Sequence, residues 1–269
     1  MNSSSISQIK IQKLTENIRE EKDDIVAKEE PLEIQILQGN KINSVAVTMR
    51  TPGHDEDLAI GFLFTEGMLK TQTDVIRVRA LGENIVLVVL RENLDIDLKK
   101  SERNFYTTSS CGVCGKSSIE AIKVESAYKN AECALKISKE FLRNLPENLR
   151  SQQELFSSTG GIHASALFDE TGKIIVLKED VGRHNALDKL IGFSLMNFSI
   201  PLTNFVLLLS GRASFELIQK AAVAGIKIVA AVGAPSSLAI ESANEMGITL
   251  VGFLKKNSFN IYTNAHRII

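Results

Sequence analysis

Phe205-Val-Leu-Leu-Leu-Ser-Gly-Arg-Ala-Ser214 is the stretch on which the fold turns. Its five consecutive apolar residues leave no wet face, so they read as a strand buried on both sides. The small polar run after them stops the strand and opens a helix over 214–224 that closes at Gly225. The same unit then recurs. Residues 228–232 are a second apolar strand, 237–246 a second helix ending at Gly247, and 249–254 a third strand. This β-α-β-α-β order calls for parallel strands joined by right-handed crossovers.

Working outward, 260–263 reads as an edge strand, and 164–168 with 174–177 as a strand pair around Asp169-Glu-Thr-Gly172. Residues 138–145 look helical, and 185–195 look like an amphipathic helix. Further upstream, 32–37 and 44–51 alternate about a Gln38-Gly-Asn40 turn, which is a hairpin signal. Residues 55–65 form a helix with an acidic first turn (Asp55, Glu56, Asp57) and Gly67 past its end. Two more strands cover 75–80 and 85–90. The class is α/β, α+β over the whole chain. The expected division is a flexible N-terminal tail over 1–22, a smaller β-rich domain over 23–100, and a larger α/β domain over 101–269. The charged stretch 91–103 is the boundary.

Lys and Arg number 31 against 32 Asp and Glu, a net charge of −1 over 269 residues. No positive excess is available for general nucleic-acid binding. No apolar run is long enough to span a bilayer, and the Ser-rich start has no apolar signal core, so the expected compartment is the cytoplasm, away from membranes. In such a reducing compartment the pair in Ser110-Cys111-Gly-Val-Cys114-Gly-Lys116 points to catalysis or metal binding before a structural disulfide. The flanking glycines admit a partner, and Lys116 favours the reactive thiolate. Dithiol redox, a zinc site and persulfide transfer all use such a pair. Zinc fits worst, because His54, His163 and His184 lack ligand spacing. Redox and sulfur transfer stay undivided at this level. Gly115-Lys-Ser117 imitates the end of a P-loop, but Ser110 stands where its first glycine is needed.

Other motifs lie at strand ends. Ser157-Ser-Thr-Gly-Gly-Ile-His163 is a polar, Gly-rich run before a strand. Glu179-Asp-Val-Gly-Arg-His-Asn185 crowds two acids, an Arg and a His at a strand-to-helix junction, where open α/β sheets bind ligands. Ser210-Gly211-Arg212-Ala-Ser214 has the makings of an anion site, and Gly233-Ala-Pro-Ser-Ser237 is its counterpart after the next strand. Side by side, the two loops make a nucleotide-sized crevice, to which Lys255 and Lys256 add positive charge. Cys133 reads as a packing residue.

Six segments in register resemble the FdhD family of formate dehydrogenase accessory proteins. They are Thr51-Pro-Gly-His-Asp-Glu-Asp-Leu-Ala-Ile-Gly-Phe62 with Thr65-Glu-Gly67, Ser110-Cys-Gly-Val-Cys-Gly115, Ser158-Thr-Gly-Gly-Ile-His163, Glu179 to Ala186, Leu209-Ser-Gly-Arg212 and Gly233 to Ser237. The resemblance implies a sulfurtransferase-type carrier. A cysteine desulfurase supplies sulfur, Cys111 carries it as persulfide with Cys114 as partner, and the acceptor is Mo-bis(molybdopterin guanine dinucleotide). That cofactor then passes to formate dehydrogenase. The resemblance places the cofactor near Phe253, Leu254, Lys255, Lys256, Asn257 and Ser258. The loop with Gly211, Arg212 and Ser214 is the physical candidate for the guanine nucleotide part. No metal bound directly by the protein is expected. The alternative is a non-covalent cofactor chaperone without a persulfide step. The resemblance further implies a homodimer and a cytidine-deaminase-like three-layer C-terminal domain. Deamination itself is not expected, since His163-Ala-Ser165 has Ser where the catalytic acid belongs and no Pro-Cys-x-x-Cys follows.

Overall fold

A computed structural model of the chain describes residues 5–96, 124, 126–198 and 200–269. Twelve strands and six α-helices are assigned among them. The region expected as a tail begins instead with a hairpin, β1 (Ile6–Thr15) and β2 (Ile18–Ala27), paired in antiparallel register from Ile6↔Ala27 to Thr15↔Ile18. The charged run Glu20 to Asp24 hides this strand from a hydrophobic pattern. Its charges instead face cross-strand partners, Lys10 opposite Asp23 and Lys13 opposite Glu20.

A four-stranded sheet follows, in the order β4-β3-β6-β5. Its strands are β3 (Glu30–Gln38), β4 (Lys41–Arg50), β5 (Val75–Ala80) and β6 (Ile85–Leu90). Between β4 and β5 runs α1 (Asp55–Thr65). The remainder builds a six-stranded sheet of order β12-β11-β10-β9-β7-β8. Here β7 (His163–Phe168) and β8 (Ile174–Asp180) are antiparallel neighbours, and β9 (Val206–Leu209), β10 (Ile228–Ala231) and β11 (Thr249–Gly252) run parallel. The edge strand β12 (Asn260–Thr263) is antiparallel to β11.

Alternation along the central strands assigns the layers. Val206, Leu208, Ile228 and Ala230 join Leu142, Leu145 and Leu149 of α2 (Lys139–Gln152) in one apolar cluster. Leu207, Leu209 and Val229 join the helices on the other face: α4 (Arg183–Asn197), α5 (Phe215–Val223) and α6 (Ser237–Glu245). That second cluster continues through α1 into Leu32, Ile34, Ile36, Val86 and Val88 of the four-stranded sheet. Each part has its own sheet, yet one core runs through both. The short α3 (Glu154–Thr159) lies between α2 and β7.

The joint is the crossing of α1 on α4. A Cβ at Gly61 would lie 1.9 Å from the Asp188 carbonyl oxygen, and one at Gly192 would lie 1.9 Å from that of Asp57. Only glycine at both places lets the two backbones touch. The close fit corrects the reading of 185–195 as amphipathic. His184 to Gly192, Ser194 and Leu195 are all buried, because α4 has sheet and α5 on one side and α1 on the other. Asn185, Asp188 and Lys189 therefore find their partners inside. Lys220 donates to both Asp188 carboxylate oxygens at 2.9 Å and to Thr65 Oγ1 at 2.8 Å, tying α5 to α4 and α1.

Candidate functional site

Because β8, β9, β10 and β11 point the same way and β7 points against them, five loops collect at one sheet edge. They follow β8, β9, β10 and β11 and precede β7. Backbone hydrogen bonds lace them together. Gly233 N donates to Gly211 O (2.9 Å), Ala213 N to Ala234 O (3.2 Å) and Phe253 N to Gly233 O (3.0 Å). A Cβ on Gly233 would meet Arg212 N and Gly211 O at 2.9 Å, so glycine is what lets the first two loops lie in contact. The pairing of the 210–214 and 233–237 loops drawn from sequence is thus a close contact in the structure.

The residues singled out in sequence divide here by position. Arg212 is exposed, Gly211 packs against the His163 ring, and Ser214 is the N-cap of α5, making no side-chain cap bond there. Phe253 is 43% exposed and holds φ at 50°, a left-handed backbone that a bulky aromatic residue rarely adopts. Leu254 turns into the α2-side core and is 1% exposed, so it supports the loop and presents no side chain to a ligand. Lys255, Lys256, Asn257 and Ser258 are exposed. Lys256 spends its charge on an open ion pair with Glu147 at 3.2 Å. Cys111 and Cys114 lie outside the described residues. Cys133 is half-buried and its thiol donates to the Thr203 carbonyl, consistent with packing.

The Glu179-to-Asn185 junction splits as well. Glu179 accepts from the backbone of Leu155 and Phe156 at the start of α3, and burial still lifts its carboxyl above the ordinary value. Asp180 is fully buried. It accepts from Thr51 N (3.1 Å) and Gly182 N (2.8 Å) and pairs with Lys189 at 2.7 Å. These acids hold the scaffold, whereas Arg183 is half-buried and His184 packs against Glu216 at 2.8 Å. The hydroxyls of Ser157, Ser158 and Thr159 bond back onto α3, so the run read as a polar loop is a helix end.

His163 reports the charge of the place. Burial lowers its pKa below 6.5, and Arg183, His184 and Arg212 lower it further, with Asp180 opposing. Beside it is a cavity of about 590 Å³ lined by Arg150, Phe156, Ile162, Ser210 and Val232 among others. Arg150 lies over the Phe156 ring at 3.7 Å. Sequence reasoning missed this wall, since Arg150 and Phe156 belong to helices with no motif of their own. Among the described residues no three His, Cys, Asp or Glu side chains cluster to hold a metal ion, and no helix is long and apolar enough to cross a membrane.

A mixed α+β protein whose parallel strands end beside a cavity lined by Arg150, Phe156 and His163 is the class that the fold defines. Residues 27–269 match the FdhD/NarQ family, and the chain belongs to it. It is 50% identical over 249 residues to the sulfur carrier protein FdhD of Mycolicibacterium paratuberculosis, covering 89% of this chain and 90% of that one. It is 41% identical over 264 residues to the protein of the same name from Sulfurisphaera tokodaii, covering 98% and 99%. A solved structure of a putative formate dehydrogenase accessory protein from Desulfotalea psychrophila shares the fold, with a TM-score of 0.76, 22% identity, and 98% and 99% coverage.

Proposed function

We propose that this protein is a sulfur carrier serving formate dehydrogenase. It takes sulfur from a cysteine desulfurase as a persulfide on Cys111 and delivers it to the guanylated molybdenum cofactor before that cofactor enters its client. The Cys111 thiolate attacks the outer sulfur of the donor's persulfide, the donor's own thiolate leaves, and the sulfane sulfur stays on Cys111. Cys114 is the second thiol of the loop. In this reading the protein works in the cytoplasm as a homodimer. The layering of α2, the six-stranded sheet and α4 to α6 supports viewing the C-terminal part as deaminase-like in architecture.

The observation that carries the cofactor half is Phe253. An exposed aromatic ring on a left-handed backbone, in a loop hydrogen-bonded to Gly233, which is in turn bonded to Gly211, suits a purine stacked on it with Arg212 of the adjoining loop toward the phosphates. The small-residue loops 210–214 and 233–237 give close backbone approach. Intact-protein mass spectrometry after incubation with an active desulfurase and cysteine tests the carrier half. A reducible gain of about 32 Da, one sulfur on the thiolate, that is lost in Cys111→Ala is the expected result. No gain in wild-type protein would leave a non-covalent cofactor chaperone. Calorimetry with GDP tests the other half, and Phe253→Ala should weaken binding roughly tenfold, in keeping with the 1–3 kcal/mol of a base stacked on an aromatic ring.

A further inference from the structure

Arg183 and His184 are consecutive residues in the first turn of α4, a helix of 15 residues. Each carries a buried side-chain nitrogen, Arg183 Nε and His184 Nδ1, with no hydrogen-bond partner among the described residues. His184 is 8% exposed, so water does not readily serve its ring. A buried polar nitrogen left without a partner costs about 1–3 kcal/mol, and each of the two calls for a group not yet in place.

The rest of the ring is well fixed. His184 Nε2 lies 2.8 Å from Glu216 Oε2 and 3.4 Å from Ser214 Oγ. A carboxylate only accepts, so Nε2 carries a hydrogen, and an oxyanion at Nδ1 is bound by the doubly protonated ring. Ser214 occupies the N-cap position of α5, so His184 stands where the positive ends of α4 and α5 meet. Arg183 and Arg212 are close enough to act on the same neighbour, His163. The two nearby acids are already engaged: Asp180 by Lys189, Thr51 and Gly182, and Glu216 by His184.

We propose that the start of α4 is a seat for a phosphate-type oxyanion. Its side-chain donors are Arg183 Nε and His184 Nδ1, and the backbone N–H groups of the first turn complete it. Glu216 is a positioning residue that fixes the ring from behind. A guanidinium, an imidazole and a helix end favour a multiply charged tetrahedral group over a carboxylate. The oxyanion is a nucleotide phosphate or free phosphate. Only the first source rests on the function proposed above.

The test is an imidazole ¹H–¹⁵N NMR titration of the full chain, which has four histidines, with inorganic phosphate, GDP and guanosine in separate arms. Phosphate and GDP should move His184 Nδ1 toward the imidazolium position, and guanosine should not. Arg183→Gln, at a partly exposed residue, should weaken phosphate binding roughly tenfold, the loss of one charge-assisted bond. His184→Gln should do at least as much if it folds. Saturating phosphate with no change at His184, or wild-type affinity in Arg183→Gln, would overturn the seat. GDP binding that ignores Arg183→Gln but is lost in Phe253→Ala removes the seat and keeps the crevice. Phosphate moving His184 in a protein that binds no GDP keeps the seat and removes the nucleotide reading.

Discussion

Gly61→Ala sets two physical effects against each other. In a helix interior, alanine is favoured over glycine by about 1 kcal/mol, so helix propensity alone predicts a more stable protein. The α1–α4 crossing predicts the reverse. The new Cβ would lie 1.9 Å from the Asp188 carbonyl oxygen and 2.9 Å from Gly192 N, and both are backbone atoms that cannot swing aside. Ordinary contact begins near 3.4 Å, so the helices must part by about 1.5 Å. That opens the middle of a core shared by two sheets. Overpacking costs about 1–3 kcal/mol, and a clash against backbone belongs at the top of that range. Net of propensity, about 2 kcal/mol is lost, or roughly 4–8 °C in Tm for a chain of this size. Thermal unfolding followed by circular dichroism measures it. Gly161→Ala is the control: its nearest foreign atom is at 3.9 Å, and its Tm should barely move. A Gly61→Ala protein that melts at or above the wild-type temperature would refute the close crossing.

Three further outcomes follow from the buried charges and the strained loop. Lys220→Met leaves Asp188 buried without its cation and should cost about 3–5 kcal/mol in urea unfolding, whereas Asp188→Leu with Lys220→Met should recover most of it. The depressed His163 pKa means the folded protein binds fewer protons there than the unfolded chain. That contribution to stability is complete above 6.5 and is lost as pH falls toward the folded pKa; NMR titration should place the midpoint below 6.5, and Arg183→Gln should raise it. Phe253→Gly removes a left-handed strain of about 1 kcal/mol together with the ring, so Tm should hold or rise while GDP affinity falls.

Much of the larger sheet was legible because its strands are short, wholly apolar and separated by helices with clear ends. The 205–209 and 228–232 runs needed no tertiary information. The β1–β2 hairpin was hidden because its strands pair through charges, and α4 was misread because its polar residues face partners over a hundred positions away in the chain, such as Thr51 and Thr65. The crevice was half legible. Arg212, Gly233 and Phe253 sit at strand ends where the pattern directs attention, but the Arg150–Phe156 wall and the engagement of Asp180 by Lys189 come from folding alone. Leu254 shows the limit of carrying a motif across whole, since one of its six side chains faces inward.

The shared core also bears on how the chain could be divided. Residues 32–90 supply one side of the apolar cluster and 167–250 the other, with the α1–α4 crossing as the seam. Neither half alone would keep α1 or α4 dry. Pieces cut between residues 96 and 124 would each be insoluble alone and should reassemble when refolded together, as a complementing pair held by one seam of backbone contact.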